Sequence, residues 1–291
     1  MLNLYEAVRT NPSYNKLEIG DVLFAEYTCG TNKKKLPSWT ETDYLVHIVT
    51  GKKTWHTSDG VWLANPGDTL FFKKGATIME QYFDADVCLL MVFIPDALMR
   101  GAVREVIGML SLKASGSALI KTALRVENDV TLAALFQSMR TYLSGKEKPA
   151  EPLVRLKLKE LVISVLTSGV NSELAAHFRR IGASDSPSIS EIMEANFRFN
   201  LLLDEYAKLC HRSLSSFKRE FQSHFQESPG KWLLRRRLDY SAKLLRNNSQ
   251  MNVTEIAFES GFEDVSHFSR VFKELFGVPP VTYRQNSSVA A

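Results

Sequence analysis

Cysteine is scarce in this sequence, and its scarcity excludes two kinds of protein. The 291 residues contain three cysteines, Cys29, Cys88 and Cys210, an odd number without the spacing of a metal site. A disulfide framework and a cysteine-ligated structural metal are therefore excluded as the basis of the fold. Cys88 lies in an apolar run and is expected to be buried, whereas Cys29 stands beside Gly30 and is expected to be exposed.

Long apolar runs are missing as well. No segment approaches the roughly 20 apolar residues that span a bilayer, and the first residues do not form a secretory signal. We therefore expect a soluble, cytoplasmic protein with no membrane partner. A chain of 291 residues with 45% hydrophobic residues is long enough for two domains that each bury a core.

The first 95 residues have the sequence pattern of a small β domain. Short strands are predicted at residues 22–27, 44–49, 53–57, 61–63, 69–72 and 87–94. Turn signals such as Asp59-Gly60 and Pro66-Gly67-Asp68 separate them, and many short strands at even spacing are typical of a barrel or jelly roll. Trp39, Trp55 and Trp62 would either line a ligand cavity or fill a small core.

This region is similar to a cupin, but it lacks the residues that hold the cupin metal. The Pro66-Gly67-Asp68 turn followed by Lys74-Gly75-Ala76 resembles the second half of a cupin motif. Metal-binding cupins carry a His-x-His pair, a Glu and a later His, whereas here His47 and His56 are nine residues apart and Asp43 and Asp59 are expected in turns. The resemblance therefore implies a barrel without metal or cofactor, and not an enzyme.

Two amphipathic helices are predicted between the barrel and the C-terminal region, over residues 132–143 and 153–166. The second helix is apolar on nearly two sides, which is more apolar surface than packing against one barrel would bury. This excess predicts a homodimer formed through both helices, at 130–143 and 153–166. Packing of the first helix onto the protein's own barrel is an alternative. We expect Leu161→Glu to give folded monomers.

The last third of the chain contains an internal repeat. Leu214–Phe221 recurs 51 residues later as Val265–Phe272, and six positions are identical as far as Pro229 and Pro280. Phenylalanines at i, i+4 and i+8 predict one buried stripe on each of two helices. Ser213 and Asp264 are expected as N-caps. Gly261 suits a left-handed turn before the second helix; the first copy has His211 near that point, so its turn must be built differently.

Positive charge is concentrated around the first copy of the repeat. From Lys208 to Arg246 there are ten Lys or Arg against three acids, a net of 10 − 3 = +7, in a chain whose net charge is +4. Such a basic stretch beside an outward-facing helix is typical of phosphate binding. A linker of small polar residues, 182–187, separates this region from the rest of the chain.

Short signatures near the end of the chain point to a family. They read Ile256-Ala257, Gly261-Phe262, Ser266-x-Phe268-x-Arg270-x-Phe272-Lys273, Gly277-x-x-Pro280 and Tyr283-Arg284. Together with an Arg237–Leu245 stretch, they make residues about 188–285 resemble the DNA-binding domain of AraC/XylS-type transcription regulators. The glycines and Trp55 of the barrel region are similar to the ExsA-like branch, which implies regulation by a protein partner.

The family resemblance implies an α+β chain: a cupin-like β-barrel with dimerisation helices (1–181) and an all-α domain with two helix-turn-helix units (188–291). A long helix from about Pro229 to Arg246 would join the units. The resemblance places base-edge contacts on Ser215, Lys218, Arg219, Ser266, His267 and Arg270. Lys231, Arg235, Arg236 and Arg237 would contact phosphate or lie on solvated surface. Each repeat Arg could instead form an ion pair with nearby Glu220 or Glu274.

The sequence therefore predicts a transcription regulator that binds double-stranded DNA. As an activator it would contact RNA polymerase, and a small molecule or a protein would act on its N-terminal domain. One alternative is a constitutive DNA-binding protein whose barrel serves only for dimerisation. A DNA-repair methyltransferase can carry the same DNA-binding module, but three scattered cysteines do not supply its chemistry.

Overall fold

The chain divides into two compact units, Met1–Pro187 and Ser188–Ala291. The structure, a computed structural model, describes residues 1–28, 34–82, 86–110, 121–145, 147–183, 187–248 and 250–289. Cys29 and residues 184–186 of the predicted linker lie outside the described residues. The first two linker positions, Gly182 and Ala183, are the last residues of a helix. No helix within the described ranges is long and apolar enough to cross a membrane.

The first unit contains two β-sheets. Its strands are β1 (Leu2–Asn3), β2 (Asn15–Ile19), β3 (Val22–Thr28), β4 (Lys35–Thr40), β5 (Asp43–Thr50), β6 (Lys53–Thr57), β7 (Gly60–Ala64), β8 (Thr69–Phe72), β9 (Gly75–Gln81), β10 (Cys88–Ile94) and β11 (Ala123–Val126). One sheet has the order β1-β4-β9-β6-β7, and the other has the order β11-β8-β5-β10-β3-β2. The six predicted strands are confirmed, while β1, β2, β4, β9 and β11 were not predicted.

A core of apolar side chains fills the space between the two sheets. Trp55 and Met79 from the five-stranded sheet pack with Tyr44, Phe72 and Phe93 from the six-stranded sheet. Trp55 is fully buried and its ring lies 5.3 Å from that of Phe72. This tryptophan therefore fills the core of the β domain.

Helices share a second core with the other face of the six-stranded sheet, except for the first helix, whose Leu4 and Val8 belong to the core between the sheets. The helices of the first unit are α1 (Leu4–Thr10), α2 (Asp96–Leu110), α3 (Val130–Ser144), α4 (Glu151–Thr167) and α5 (Ser172–Ala183). Phe24, Phe71 and Leu90 of the sheet share one core with Phe136 of α3 and Phe178 of α5. The two predicted helices are confirmed as α3 and α4, and three further helices were not predicted.

Two sequence-based expectations about this unit are wrong. Leu161 is fully buried within its own chain, so Leu161→Glu would place a charge in the core and would unfold the unit instead of giving folded monomers. Asp43 is not in a turn. It is the first residue of β5, it is buried, and its carboxylate accepts a hydrogen bond from His177 Nε2 at 2.9 Å.

The second unit is entirely helical in its described residues. Its helices are α6 (Ile189–Asn196), α7 (Leu203–Leu209), α8 (Leu214–Phe225), α9 (Pro229–Asn247), α10 (Val253–Glu259), α11 (Val265–Phe276) and α12 (Pro280–Val289). The long connecting helix is confirmed as α9, which begins with Pro229 behind the N-cap Ser228. It joins a first set of helices, α6 to α8, to a second set, α10 to α12.

Candidate nucleic-acid interface

The phenylalanine stripes of the repeat fix which side of α8 and α11 faces the protein. Phe217 and Phe221 of α8 are fully buried, and so are Phe268 and Phe272 of α11. Their rings pack along each helix at centroid distances of 5.8 and 5.5 Å. Because these side chains recur every four residues, the opposite side of each helix is left for polar residues.

Each of the two helices begins at a side-chain cap. Ser213 Oγ accepts from the backbone N–H of Ser216 at 3.2 Å, and the Asp264 carboxylate accepts from that of His267 at 2.6 Å. Both predicted N-caps are therefore confirmed. Each cap satisfies a backbone N–H in the first turn of its helix, although the capping residues and their backbone angles differ.

The turns before and after the two helices also match, with different residues at the left-handed positions. In the second copy these positions are glycines, Gly261 (φ 89°) and Gly277 (φ 80°). In the first copy they are His211 (φ 54°) and Gln226 (φ 57°). The expectation that the first turn is built differently is therefore wrong for the left-handed conformation but correct for the length of the turn. The first turn is one residue shorter, because Glu263 has no counterpart between His211 and Ser213.

The polar side of α8 carries three of the residues predicted to contact DNA. Ser215, Lys218 and Arg219 are all exposed on the helix. Ser215 Oγ lies 3.2 Å from the hydroxyl of Ser213, so it belongs to the capped first turn. The neighbouring acid, Glu220, is paired with Arg212 at 3.1 Å. Arg219 is thus exposed beside an acid that already has another partner.

The matching side of α11 carries Ser266, His267 and Arg270, which are also exposed. The His267 ring lies 6.1 Å from the ring of Phe262, at the edge of the preceding turn. Arg270 forms an ion pair with Glu274 one helical turn later, at 3.1 Å, with both side chains more than 60% exposed. An exposed pair of this kind contributes little and is readily exchanged for another anion.

The basic residues of α9 are less uniform than their sequence suggests. Lys231 is exposed, but Arg235 pairs with Glu227, and Arg236 pairs with Glu194 at 2.9 Å. Arg237, predicted to be a phosphate contact or solvated, is largely enclosed. Its guanidinium donates to the carbonyls of Phe197 and Phe199 at 2.7 and 2.9 Å, and burial lowers its pKa. Arg237 therefore binds the protein's own backbone instead of DNA. The sequence of three consecutive arginines does not indicate which of them points inward.

The histidines of the β domain do not converge. His47 lies on β5, where its Nδ1 is 2.8 Å from Thr69 Oγ1 and its ring stacks on Phe136 of α3. His56 lies on the other sheet and contacts the carboxylate of Glu80 at 2.7 Å, a contact that was not predicted. Within the described part of the chain, no group of three or more His, Cys, Asp or Glu side chains is arranged to hold a metal ion.

One buried pair in the first unit was not predicted. Burial raises the pKa of Asp43, but the hydrogen bond from His177, the charge of His177 once it is protonated, and the nearby Lys74 outweigh it, and the net shift is downward. Burial lowers the pKa of His177 despite this partner. His177 Nδ1 has no hydrogen-bond partner, which favours the neutral ring with its proton on Nε2. The sequence separation of 134 between the two residues hides the pair from local sequence patterns.

Cys88 is unsuited to redox chemistry. Its thiol is half-buried, and its Sγ lies 3.6 Å from Glu26 Oε1. Burial, together with the carboxylate of Glu26, raises the pKa of the thiol to about 11. Because the thiolate is the reactive species, this cysteine is unreactive at neutral pH.

Both units match known domains. Residues 43–177 match the ExsA N-terminal regulatory domain, and residues 206–286 match a helix-turn-helix domain. The virulence regulon transcriptional activator VirF of Yersinia enterocolitica is 24% identical over 238 residues, covering 82% of this chain and 87% of VirF. The HTH-type transcriptional regulator ExsA of Pseudomonas aeruginosa is also 24% identical, covering 82% and 84%. The structure of ToxT from Vibrio cholerae aligns with a TM-score of 0.42 at 16% identity, covering 90% of this chain and 97% of ToxT.

Proposed function

We propose that this chain, an AraC-type DNA-binding transcription regulator with an ExsA-type regulatory domain, reads DNA by placing α8 and α11 in two successive segments of major groove. The family resemblance predicted from the sequence is confirmed by the two domain matches and by the relatives VirF and ExsA. The chain is a regulator and not an enzyme, so its function depends on which surfaces contact DNA and partner proteins.

One observation carries the proposal: the same arrangement of a capped helix with an exposed Ser and Arg occurs twice. Each of α8 and α11 begins at a capped first turn, buries its phenylalanines and exposes a Ser and an Arg at equivalent positions. A major groove admits one helix, and two helices on one side of the duplex can occupy grooves one turn apart. Duplication of the polar face is expected if both faces bind the same kind of partner.

The exposed side chains have separate proposed roles. Arg219 and Arg270 would each donate two hydrogen bonds to O6 and N7 of a guanine. Ser215, Lys218, Ser266 and His267 would contact neighbouring base edges. Lys231, Arg235 and Arg236 would contact phosphates, which fix the register on the duplex without reading sequence. For Arg235 and Arg236 this requires exchange of a surface ion pair, which costs little.

A binding-site selection tests the DNA-binding mode. Full-length protein would select duplexes from a random pool, and hydroxyl-radical footprinting would map the protected positions. We expect two protected blocks about one helical turn apart on one side of the duplex. Lys243→Ala, an exposed change on α9 outside the proposed contacts, serves as the control and should leave the footprint unchanged. A single block covering one groove would contradict the proposal.

We propose further that the protein activates transcription and is regulated through its first unit. VirF is described as a transcriptional activator, and an activator bound beside a promoter recruits RNA polymerase. The match of residues 43–177 to a regulatory domain supports control by an effector, which is either a small molecule or a protein. Transcription in vitro from a promoter carrying the selected site should rise when the protein is added. Unchanged or reduced transcription would contradict activation.

We also propose that the first unit forms a homodimer through α4. Leu153, Leu156 and Ile163 are 47%, 58% and 41% exposed, and they lie on one side of the helix at the spacing of a helix–helix seam. Glu160 lies between them on the same side, with its carboxylate paired to Lys157 at 2.9 Å. Closed two-fold dimers are the commonest soluble assembly. An exposed apolar stripe on a helix whose opposite side is already buried supports this interface.

Substitutions on the stripe test the dimer. We expect Ile163→Glu and Leu156→Glu to give folded monomers in analytical ultracentrifugation at micromolar concentration, because each replaces an exposed apolar side chain of the seam with a second carboxylate near Glu160. Leu161→Glu is the matched contrast on the same helix, since it should unfold the first unit. A wild-type protein that is monomeric at these concentrations, or variants that remain dimeric, would exclude this interface.

A further inference from the structure

The loop between α6 and α7 in the first helix set contacts the second helix set directly. Arg198 of this loop forms an ion pair with Glu259 of α10 at 2.9 Å and donates to the hydroxyl of Tyr240 on α9 at 2.6 Å. Its guanidinium also lies over the Tyr240 ring, 5.1 Å from the centroid. One side chain thus joins the first helix set to the connecting helix and to the second set.

Arg237 approaches the same loop from the connecting helix. Its two hydrogen bonds end on the carbonyls of Phe197 and Phe199, on either side of Arg198. Buried hydrogen bonds from a charged donor are strong, and leaving the two carbonyls unpaired is costly. The loop is therefore attached both through its backbone and through the Arg198 side chain.

The turn of the second helix set rests on this loop. A Cβ added to Gly261 would lie 2.7 Å from the Arg198 carbonyl oxygen and 3.0 Å from Arg237 Nε. Since Gly261 is the left-handed residue of the turn that leads into α11, the start of this recognition helix is in contact with the first helix set. We call Arg198, Arg237, Tyr240, Glu259 and Gly261 the junction.

We propose that the junction holds α8 and α11 at one fixed separation, so that the protein accepts a single spacing between its two half-sites. Arg198 and Arg237 are then positioning residues for DNA recognition. Inserting one base pair moves a half-site by about 3.4 Å and rotates it by roughly a tenth of a turn. A rigid pair of helices cannot follow this change, whereas a loosened pair can. The inference rests on the proposed two-groove binding mode.

Spacing variants of the selected duplex test the junction. Affinities of full-length protein would be measured for duplexes with the two half-sites at native spacing, one base pair closer and one base pair further apart, and for a duplex with one half-site. Arg237→Gln shortens the donor that holds the loop. Glu259→Gln removes the charge that Arg198 faces at a half-exposed position, so it should not affect folding. Lys243→Gln is the control, because it removes a charge from α9, the helix of Arg237, at a position outside the junction.

The readout is the spacing penalty, the ratio of affinities at native and changed spacing. We expect a spacing penalty of about tenfold or more for wild type and Lys243→Gln, and of about threefold or less for Arg237→Gln. The affinity for a single half-site should be the same in all of these proteins. Glu259→Gln should lower the spacing penalty by a smaller factor. If circular dichroism shows that Arg237→Gln is unfolded, the spacing penalty of Glu259→Gln alone tests the junction. A wild-type penalty retained in the folded variants would overturn the junction proposal. A wild type that binds one half-site as tightly as two would overturn the two-groove mode itself.

Discussion

The two arginines at equivalent positions of the repeat have different neighbours. Arg270 is paired with Glu274, whereas the acid next to Arg219 is held by Arg212. Both arginines are exposed, so the ion pair of Arg270 is screened and does not prevent a guanidinium–guanine contact. At the residue scale the repeat therefore preserves the position of the arginine on the helix and not its ion-pair partners.

The buried Asp43–His177 pair makes the stability of the first unit depend on pH. The folded pKa of His177 lies below its ordinary value of about 6.5, so the unfolded chain binds a proton first as the pH falls. Stability is therefore lost as the pH decreases below about 6.5. The folded pKa of Asp43 is also lowered, which removes further stability at more acidic pH, near and below the ordinary value of about 3.9.

We predict that His177→Gln weakens this dependence between pH 7 and pH 5. The amide can still donate to Asp43 but cannot titrate, so the slope should fall by at most about 1.4 kcal/mol per pH unit, the value for one proton. Urea unfolding followed by tryptophan fluorescence reports mainly on the first unit, which contains Trp39, Trp55 and Trp62. His224→Gln, an exposed change in the second unit, is the control. Equal slopes for His177→Gln and wild type would refute the assignment.

The two glycines that flank α11 differ in what surrounds them. Both Gly261 and Gly277 have positive φ. A Cβ added at Gly261 would contact the backbone of Arg198, whereas a Cβ added at Gly277 would have nothing within 4 Å. We predict that Gly277→Ala costs about 1 kcal/mol for the left-handed conformation alone. Gly261→Ala should cost roughly 1–3 kcal/mol more, because the loop at Arg198 must move. Thermal unfolding of both variants gives the difference, and equal losses would show that the turn does not rest on the loop.

Elements with a strong local signal were predicted from the sequence, and elements that depend on distant partners were not. The phenylalanine spacing and the caps Ser213 and Asp264 identified α8 and α11 and the residues at which they begin. By contrast, β4 contains Pro37, and β9 mixes polar and apolar residues, so neither has the pattern of a strand. Both are nevertheless paired, since β9 forms ladders with β4 and with β6. Such strands form because partners distant in sequence supply their hydrogen bonds, which no local pattern reveals.

The left-handed turn at His211 shows the same limit at the candidate site. Glycine signals a positive φ in the second copy, but histidine gives no such signal in the first. The second turn needs glycine because the Arg198 carbonyl leaves no room for a Cβ. Likewise, the exposed contacts on α8 and α11 follow from helical periodicity, whereas the inward course of Arg237 depends on carbonyls about 40 residues earlier in the chain.

At the scale of the whole molecule, the cupin-like unit invites the assumption of a bound metal, and we predict none. His47 and His56 lie on different sheets, and the carboxylate that His56 contacts belongs to Glu80. Purified protein should carry well under one equivalent of transition metal, and its melting temperature should not change with a chelator. Stoichiometric metal in elemental analysis that is lost in His56→Ala would contradict this and would reopen the question of an enzyme.

The central claim is that two equivalent helices of one chain read two different segments of DNA. Its most direct test is a scan of every base pair of the selected duplex with wild type, Arg219→Ala and Arg270→Ala. Each substitution should weaken specific binding by about 1–3 kcal/mol and should abolish base preference at one position. We predict that the two positions lie about 10–10.5 base pairs apart, one helical turn. Loss of preference at the same base pair in both variants would contradict the account.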